Sequence, residues 1–402
     1  MKILYIHQYF KTPNEPGGTR SYWISKELIS RGHNVTMICS TNQRNPEPCI
    51  KVIDGIKVIY VKNTYSNYMS IPRKLWAFIN FVRLALIQAR KEKDVDLVFA
   101  TSTPLTVGYI ALRLKKIMKW PYVFEVRDLW PEFPIQIGAI KNKLIIKWLK
   151  NLERTIYDNS EHVIALSPGM KDGVLAAGTP ANKCSMVPNM SKPDLFYPHE
   201  NSREILSTFN IDTKKFNVIH FGSMGRANGL RYIIDVARCL QSMSDDSINF
   251  IFMGEGATRP IIQKLAEDLG LTNVRFLGNH KMSVVSEVVN CCDASITCFM
   301  DLPILYTNSP NKLFDSLSAG KPIIVNSAGW TKDLVEQENC GFYVDPNNPE
   351  DCAVKLIQCK SNRDLLKLWG DNSRRLSLEV FDKKLLSAQV ANILESSYNK
   401  LS

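Results

Sequence analysis

The sequence predicts an α/β protein of two doubly wound, Rossmann-like domains facing one another across a cleft, and three observations carry that prediction. Short β-branched apolar runs alternate with helical segments almost throughout the 402 residues. The alternation breaks in the Pro-, Asn- and Ser-rich stretch Cys184 to Ser202 and then restarts. Each series opens with a strand that runs into a glycine-containing loop and a helix. Ligands of such sheets bind at the carboxyl ends of the strands, so the cleft between the two units is the expected site.

The N-terminal unit is predicted over 1–190 and the C-terminal one over 200–375. In the first, Lys2 to His7 is a buried run, and "EPGGTRSYWISKEL" places Gly17 and Gly18 before a helix over Ser21 to Arg31, stopped by Gly32. Strands follow at Asn34 to Ser40, Gly55 to Val61, Asp94 to Ala100, Pro121 to Val126 and His162 to Ser167. The second unit places strands at Phe216 to Ser223, Ile248 to Gly254, Asn273 to Gly278, Asp293 to Phe299, Lys321 to Asn326 and Gly341 to Asp345.

Four loops carry the candidate chemistry. Gly17 and Gly18 let backbone N–H groups approach an anion at a helix N-terminus, or serve a turn that needs positive φ. "HFGSMGRANGLRYIIDVARCL" holds Gly222, Gly225 and Gly229, with Arg226 its single basic residue before the helix. The strand ending at Gly254-x-Gly256 is followed by a helix and a strand ending at Gly278. In "PILYTNSPNKLFDSLSAGKPIIV", the polar residues Thr307, Asn308, Ser309, Pro310 and Asn311 run into a helix bearing Lys312, with Asp315 one turn on. Free amides and a lysine there make an anion site, while the acid can accept from sugar hydroxyls; an ordinary cap with a surface lysine is the plainer alternative. A nicotinamide cofactor is excluded, because neither opening loop is a G-x-G-x-x-G with an acidic residue closing the next strand.

The net charge is +11 and the pI about 9.1, which favours an anionic partner. Much of the basic charge lies on two amphipathic segments, 70–93 with Trp76, Phe78 and Phe81, and 141–157 with Trp148. Basic helices with aromatic residues suit an anionic membrane surface, with Trp76, Phe78 and Phe81 expected outward; two core-facing helices with solvated Lys and Arg are the alternative. Nucleic acid is disfavoured, since the basic residues come with apolar helical faces and no stacking platform. Ten scattered cysteines without C-x-x-C or zinc-ligand spacing read as reduced thiols, and the first residues as a strand, not a signal peptide. A cytoplasmic setting is expected, and no apolar run reaches the ~20 residues that span a bilayer.

Taken in order, "EPGGTRSYWISKELISRGH", "EVRDLWPE", "VPNMSKPDLFYP", "FMGEGATRPIIQKLAEDLGL", "NVRFLG" and "SPNKLFDSLSAGKPIIV" resemble the retaining GT-B glycosyltransferases of family four over nearly the whole chain. Within that family, "EVRDLWPE" and the opening segment look most like bacterial O-antigen and capsule N-acetyl-L-fucosaminyl transferases. The resemblance implies a sugar moved with retention from a nucleotide, a UDP-sugar such as UDP-N-acetyl-L-fucosamine, to a polyprenyl-diphosphate-linked saccharide on the inner face of the cytoplasmic membrane. It implies a C-terminal segment, 376–402, that crosses back onto the N-terminal domain; with no D-x-D segment on a suitable loop, neither a metal nor another cofactor is expected.

Residue by residue, Gly17 and Gly18 match the loop that closes over the donor phosphates, and Phe276 to His280, with Gly278, the strand end that holds the nucleobase. Asn308 to Asn311 with Lys312 match the turn that meets the diphosphate, and Asp315 the ribose-binding second acid of the Glu-x7-Glu motif. The first acid of that motif falls on Thr307, and the usual Arg/Lys pair of the second glycine loop on Ser223 and Asn228. Compensation of the leaving diphosphate is therefore expected from Arg226 and Lys312, together with helix N-termini. Asp128, beside Arg127 and Glu132 at a strand end, is the candidate to orient or deprotonate the acceptor hydroxyl; an Arg127–Asp128 structural pair is the alternative. Trp130 suits packing or acceptor stacking. Two other functions fit the same pieces: a nucleotide-sugar 2-epimerase, revealed by sugar interconversion without acceptor, and a membrane-docked scaffold with a vestigial site, revealed by binding without turnover.

Overall fold

A computed structural model describes residues 1–15, 17–41, 49–65, 69–200 and 204–400. Pro16 of the first glycine segment and residues 201–202 at the end of the linker lie outside the described residues. The first sheet contains β1 (Lys2–Ile6), β2 (Asn34–Ser40), β3 (Cys49–Ile53), β4 (Ile56–Val61), β5 (Leu97–Thr101), β6 (Tyr122–Val126), β7 (His162–Ala165) and β8 (Cys184–Met186). Their order is β3-β4-β2-β1-β5-β6-β7-β8, parallel except for the antiparallel β3–β4 edge. The second sheet, all parallel, has β9 (Phe216–Phe221), β10 (Ile248–Met253), β11 (Val274–Gly278), β12 (Ala294–Thr297), β13 (Ile323–Val325) and β14 (Gly341–Tyr343), in the order β11-β10-β9-β12-β13-β14. Winding reverses at β1 in one sheet and at β9 in the other, so the loops after both strands open at the crevices where such folds bind ligands. Those loops carry Gly17–Gly18 and Gly222.

Period-2 alternation sorts the two faces of the first sheet. Leu4 and Ile6 point into a core with Phe81, Ile110 and Ile156, whereas Ile3 and Tyr5 point into one with Tyr22, Leu28 and Leu394. The first core is roofed by helices Ile71–Ala89, Thr106–Met118 and Lys143–Asn159, the second by Arg20–Ser30 and Lys383–Asn399. The last of these is the return of the chain onto the N-terminal half. Arg31 and His33 meet Glu395 at 3.1 and 2.8 Å, fixing the contact. The crossing helix begins at Lys383, because residues 376–379 still belong to helix Arg363–Glu379.

Two strands escape the sequence reading. β3 is an edge strand with exposed Ile50 and Val52, so no buried alternation marks it. β8 has three residues and sits at the start of the segment read as linker. No helix is long and apolar enough to cross a membrane among the described residues.

Candidate active site

The carboxyl ends of the two sheets enclose a cavity of about 380 Å³ between the halves. Gly17, Gly18, Arg127 and Asp128 line it from the N-terminal half. From the other half come Gly222, Gly254, Gly278, Asn308, Ser309, Pro310, Asn311, Lys312 and Asp315. Ser223 and Asn228, which replace the family's cations, line it too.

The wall of the C-terminal half is set by backbone. Gly254 has φ +143°, and a Cβ there would overlap the Gly222 carbonyl oxygen, whose residue is itself held by a hydrogen bond from Gly222 N to Met253 O. No side chain fits between these crossing loops, which leaves backbone facing the cavity. At β11 the end residues Gly278, Asn279 and His280 line the cavity. Phe276 does not: its ring stacks on Phe252 at 4.7 Å in the core, so the predicted nucleobase segment contributes only its last residues.

Lys312 rises from the first turn of helix Asn311–Ser318. Its Nζ donates to Asn228 Oδ1 at 2.9 Å and meets His220 Nε2 at 3.1 Å. Burial pulls its ammonium down to about 7, with the Cys298 thiol opposing. One turn on, Asp315 pairs with Lys192 at 2.9 Å, both side chains almost fully buried. Burial raises the Asp315 carboxyl and Lys192 counters it.

Arg226 is not brought to the cavity. It is exposed at the start of the 3-10 turn Arg226–Asn228, and is not among the lining residues. With about three residues per turn, positions 226 and 228 point different ways, and the turn aims Asn228 inward. Thr307 is also turned aside: its Oγ1 donates to Ile304 O at 2.8 Å, and its carbonyl accepts from Ser167 Oγ across the seam between the halves. The first position of the acid motif thus joins the halves here. Ser309 belongs to the same seam, its Oγ accepting from Asn189 N at 3.3 Å.

On the opposite wall, the Arg127 guanidinium and the Asn311 amide both converge on Gly18, 3.3 and 3.0 Å from where a Cβ would sit. The glycine loop thus receives a side chain from each half. Asp128 turns elsewhere and accepts from Thr103 Oγ1, and among the described residues no ion pair joins it to Arg127. Burial raises the Asp128 carboxyl, against the Thr103 hydrogen bond and the Arg127 charge. Glu132 points away to Lys150, 3.2 Å. Trp130 lies edge-on to Phe78 at 6.5 Å, and that ring stacks on Tyr65 at 5.5 Å.

Sequence reasoning missed three groups. Arg20 is fully buried and donates to Glu125 Oε1 at 2.9 Å, to Val187 O at 3.0 Å and to Pro188 O. It pins the start of the helix after the glycine loop to the strand that leads into Arg127. Lys192 and His220 are the others; a lone histidine in the apolar strand "FNVIHF", just before Gly222, was the one legible signal.

Two α/β halves facing one another across a cavity are the architecture of the GT-B glycosyltransferases, enzymes of class EC 2.4. The chain belongs to this family: residues 17–194 match the family described as Glycosyltransferase Family 4, and residues 201–376 that described as Glycosyl transferases group 1. The chain is 23% identical over 301 residues to the probable glycosyltransferase WbjE of Pseudomonas aeruginosa, covering 71% of this chain and 73% of that protein. Among solved structures it superimposes on sucrose-phosphate synthase from Thermosynechococcus elongatus with a TM-score of 0.81 at 15% identity, over 99% of each chain. The Anabaena protein Alr3699/HepE in complex with UDP-glucose gives 0.71 at 19% identity, over 98% of this chain and 100% of that one.

Proposed function

We propose that the protein moves a sugar with retention from UDP to a polyprenyl-diphosphate-linked saccharide, in O-antigen or capsule synthesis at the inner face of the cytoplasmic membrane. The observation that carries the reading is the single cavity in which Lys312 and the start of its helix face Gly18 and Arg127 of the other half. The leaving diphosphate gathers negative charge in the transition state, and preorganised cations and amides stabilise it without reorganisation. Lys312 and Arg127 supply the charge, in place of Arg226, and backbone at Gly18, Gly222 and Gly254 supplies close approach. Asp315 accepts from ribose hydroxyls. Asp128, with its raised carboxyl, orients the acceptor hydroxyl or takes its proton. Attack comes from the face the diphosphate leaves, which needs no enzyme nucleophile. A Glycosyltransferase Family 4 match and a UDP-glucose complex of a structural relative support the donor class.

The acceptor side favours a membrane. Leu75, Trp76, Ile79, Leu144, Ile145 and Trp148 are all exposed on the helices Ile71–Ala89 and Lys143–Asn159, which flank helix Thr106–Met118 on one face of the sheet. Exposed Arg73, Arg83, Lys143 and Lys147 accompany them. The outward set differs from the sequence expectation: Phe81 is wholly buried and Phe78 packs between Tyr65 and Trp130. Helix phase decides this, since Phe81 shares the inward stripe of Ala77 and Ala85.

Thermal shift with UDP-, GDP- and dTDP-sugars, followed by transfer onto a polyprenyl-diphosphate-linked acceptor, tests the reading. The UDP-sugar is expected to stabilise most, and equal stabilisation by the others overturns the UDP assignment.

A further inference from the structure

The place left by the family's missing loop lysine is filled from another element. Asn228 stands at that position, and Lys312, from the helix on the other side of the strand end, puts its Nζ 2.9 Å from the Asn228 amide oxygen. The second partner of Nζ is His220 Nε2 at 3.1 Å. His220 is 1% exposed, and its Nδ1 lies 3.2 Å from the Ile296 carbonyl oxygen. A carbonyl can only accept, so the ring proton belongs on Nδ1 and Nε2 offers Lys312 a lone pair. Nζ has four tetrahedral positions: one bonded to Cε, two committed to Asn228 and His220, and one left open on a residue that lines the cavity.

We propose that His220 and Asn228 are positioning residues that aim Lys312 at the diphosphate of a bound nucleotide, and that nucleotide binding is coupled to uptake of one proton at the open position of Nζ. In the free site the lysine has two uncharged partners and makes no ion pair among the described residues. Its surroundings do not supply the missing anion. Asp315, on its own helix, is held by Lys192; His220 and Cys298 come from the second sheet side; Arg127 and Asp128 line the opposite wall. Burial already holds the ammonium near 7. The arriving diphosphate favours the charged form, so a neutral amine takes a proton from solvent, keeps both hydrogen bonds and presents the new N–H to phosphate oxygen. His220 stays neutral: burial first and then Lys312 hold it well below the ordinary imidazole range, against the opposing backbone hydrogen bonds of Ile296 and Ser223.

The inference rests on the cavity being a nucleoside-diphosphate site, and one calorimetric experiment separates the two claims. UDP is titrated into the full chain at pH 8 in buffers of different ionisation enthalpy. Uptake of roughly 0.5–1 proton per UDP is expected, with affinity falling by up to about tenfold per pH unit above 7. Lys312→Met is expected to remove both the uptake and the pH slope. His220→Leu should weaken UDP about tenfold, and His220→Gln, whose amide oxygen can accept at the same place, should recover it to within about threefold. UDP binding without proton uptake overturns the inference and leaves the donor site standing. The inference also falls if folded His220→Leu or Asn228→Leu binds UDP as the natural protein does. Failure of UDP to bind at all overturns the donor reading, and the inference with it.

Discussion

The two walls of the cleft are built differently. The C-terminal wall is made of backbone crossings without tolerance, at Gly222 and Gly254, and of buried charged or polar sets, Lys312–His220–Asn228 and Lys192–Asp315. The N-terminal wall is a loop and two partly exposed side chains, Arg127 and Asp128, in front of helices with exposed tryptophans. A diphosphate and a nucleoside have one shape, so a fixed backbone mould can serve them. The lipid-linked acceptor proposed above would arrive from a surface, and the N-terminal half keeps apolar side chains outside, where they cost folding energy unless another phase covers them.

If the backbone mould is the essential part, the largest loss comes from filling it. Gly254→Ala is expected to abolish measurable UDP binding and to lower stability by about 1–3 kcal/mol, since the new Cβ would overlap the Gly222 carbonyl and the residue would keep a left-handed φ. Thermal melting with and without UDP measures both effects. A variant that binds UDP normally would show that the loops are free to part.

Gly18→Val comes next and probes the opposite wall. A β-branched side chain there meets the Asn311 amide and the Arg127 guanidinium, so transfer should fall roughly 30- to 1000-fold with the fold intact. If the N-terminal wall served the acceptor alone, acceptor-independent hydrolysis of the UDP-sugar would be unaffected; that hydrolysis is expected to fall too.

The smallest effect on chemistry belongs to the outer face. Changing Trp76, Ile79 and Trp148 together to Gln should release the protein from anionic vesicles, with UDP affinity unchanged. Vesicle sedimentation reads this directly, and undiminished binding would sever the membrane from the basic helices. By contrast Phe81→Ala should cost about 3–5 kcal/mol of stability, because that ring is core.

What the sequence showed and hid follows the same division. Strand and loop order was legible from apolar periodicity, and the anion loops from glycine, polar and lysine spacing, so that Gly17, Gly18, Gly254 and Lys312 fall in one cavity. Long-range partners were not legible. Nothing local ties Arg20 to Glu125, 105 positions away, or Lys312 to His220, 92 away. Direction within a tight turn was hidden as well. Arg226 looked like the cation of the second glycine loop because it was its one basic residue, yet the turn presents Asn228 and leaves the charge to a different helix.

That substitution of one cation for another is the central claim, and UDP affinity in Lys312→Met and Arg226→Met, measured side by side with circular dichroism as the folding control, tests it most directly. Lys312→Met is expected to lose about 2–4 kcal/mol, roughly 30- to 1000-fold, and Arg226→Met to stay within about threefold of the natural protein. Near-normal affinity in Lys312→Met together with a large loss in Arg226→Met would contradict the account and return the diphosphate to the second glycine loop.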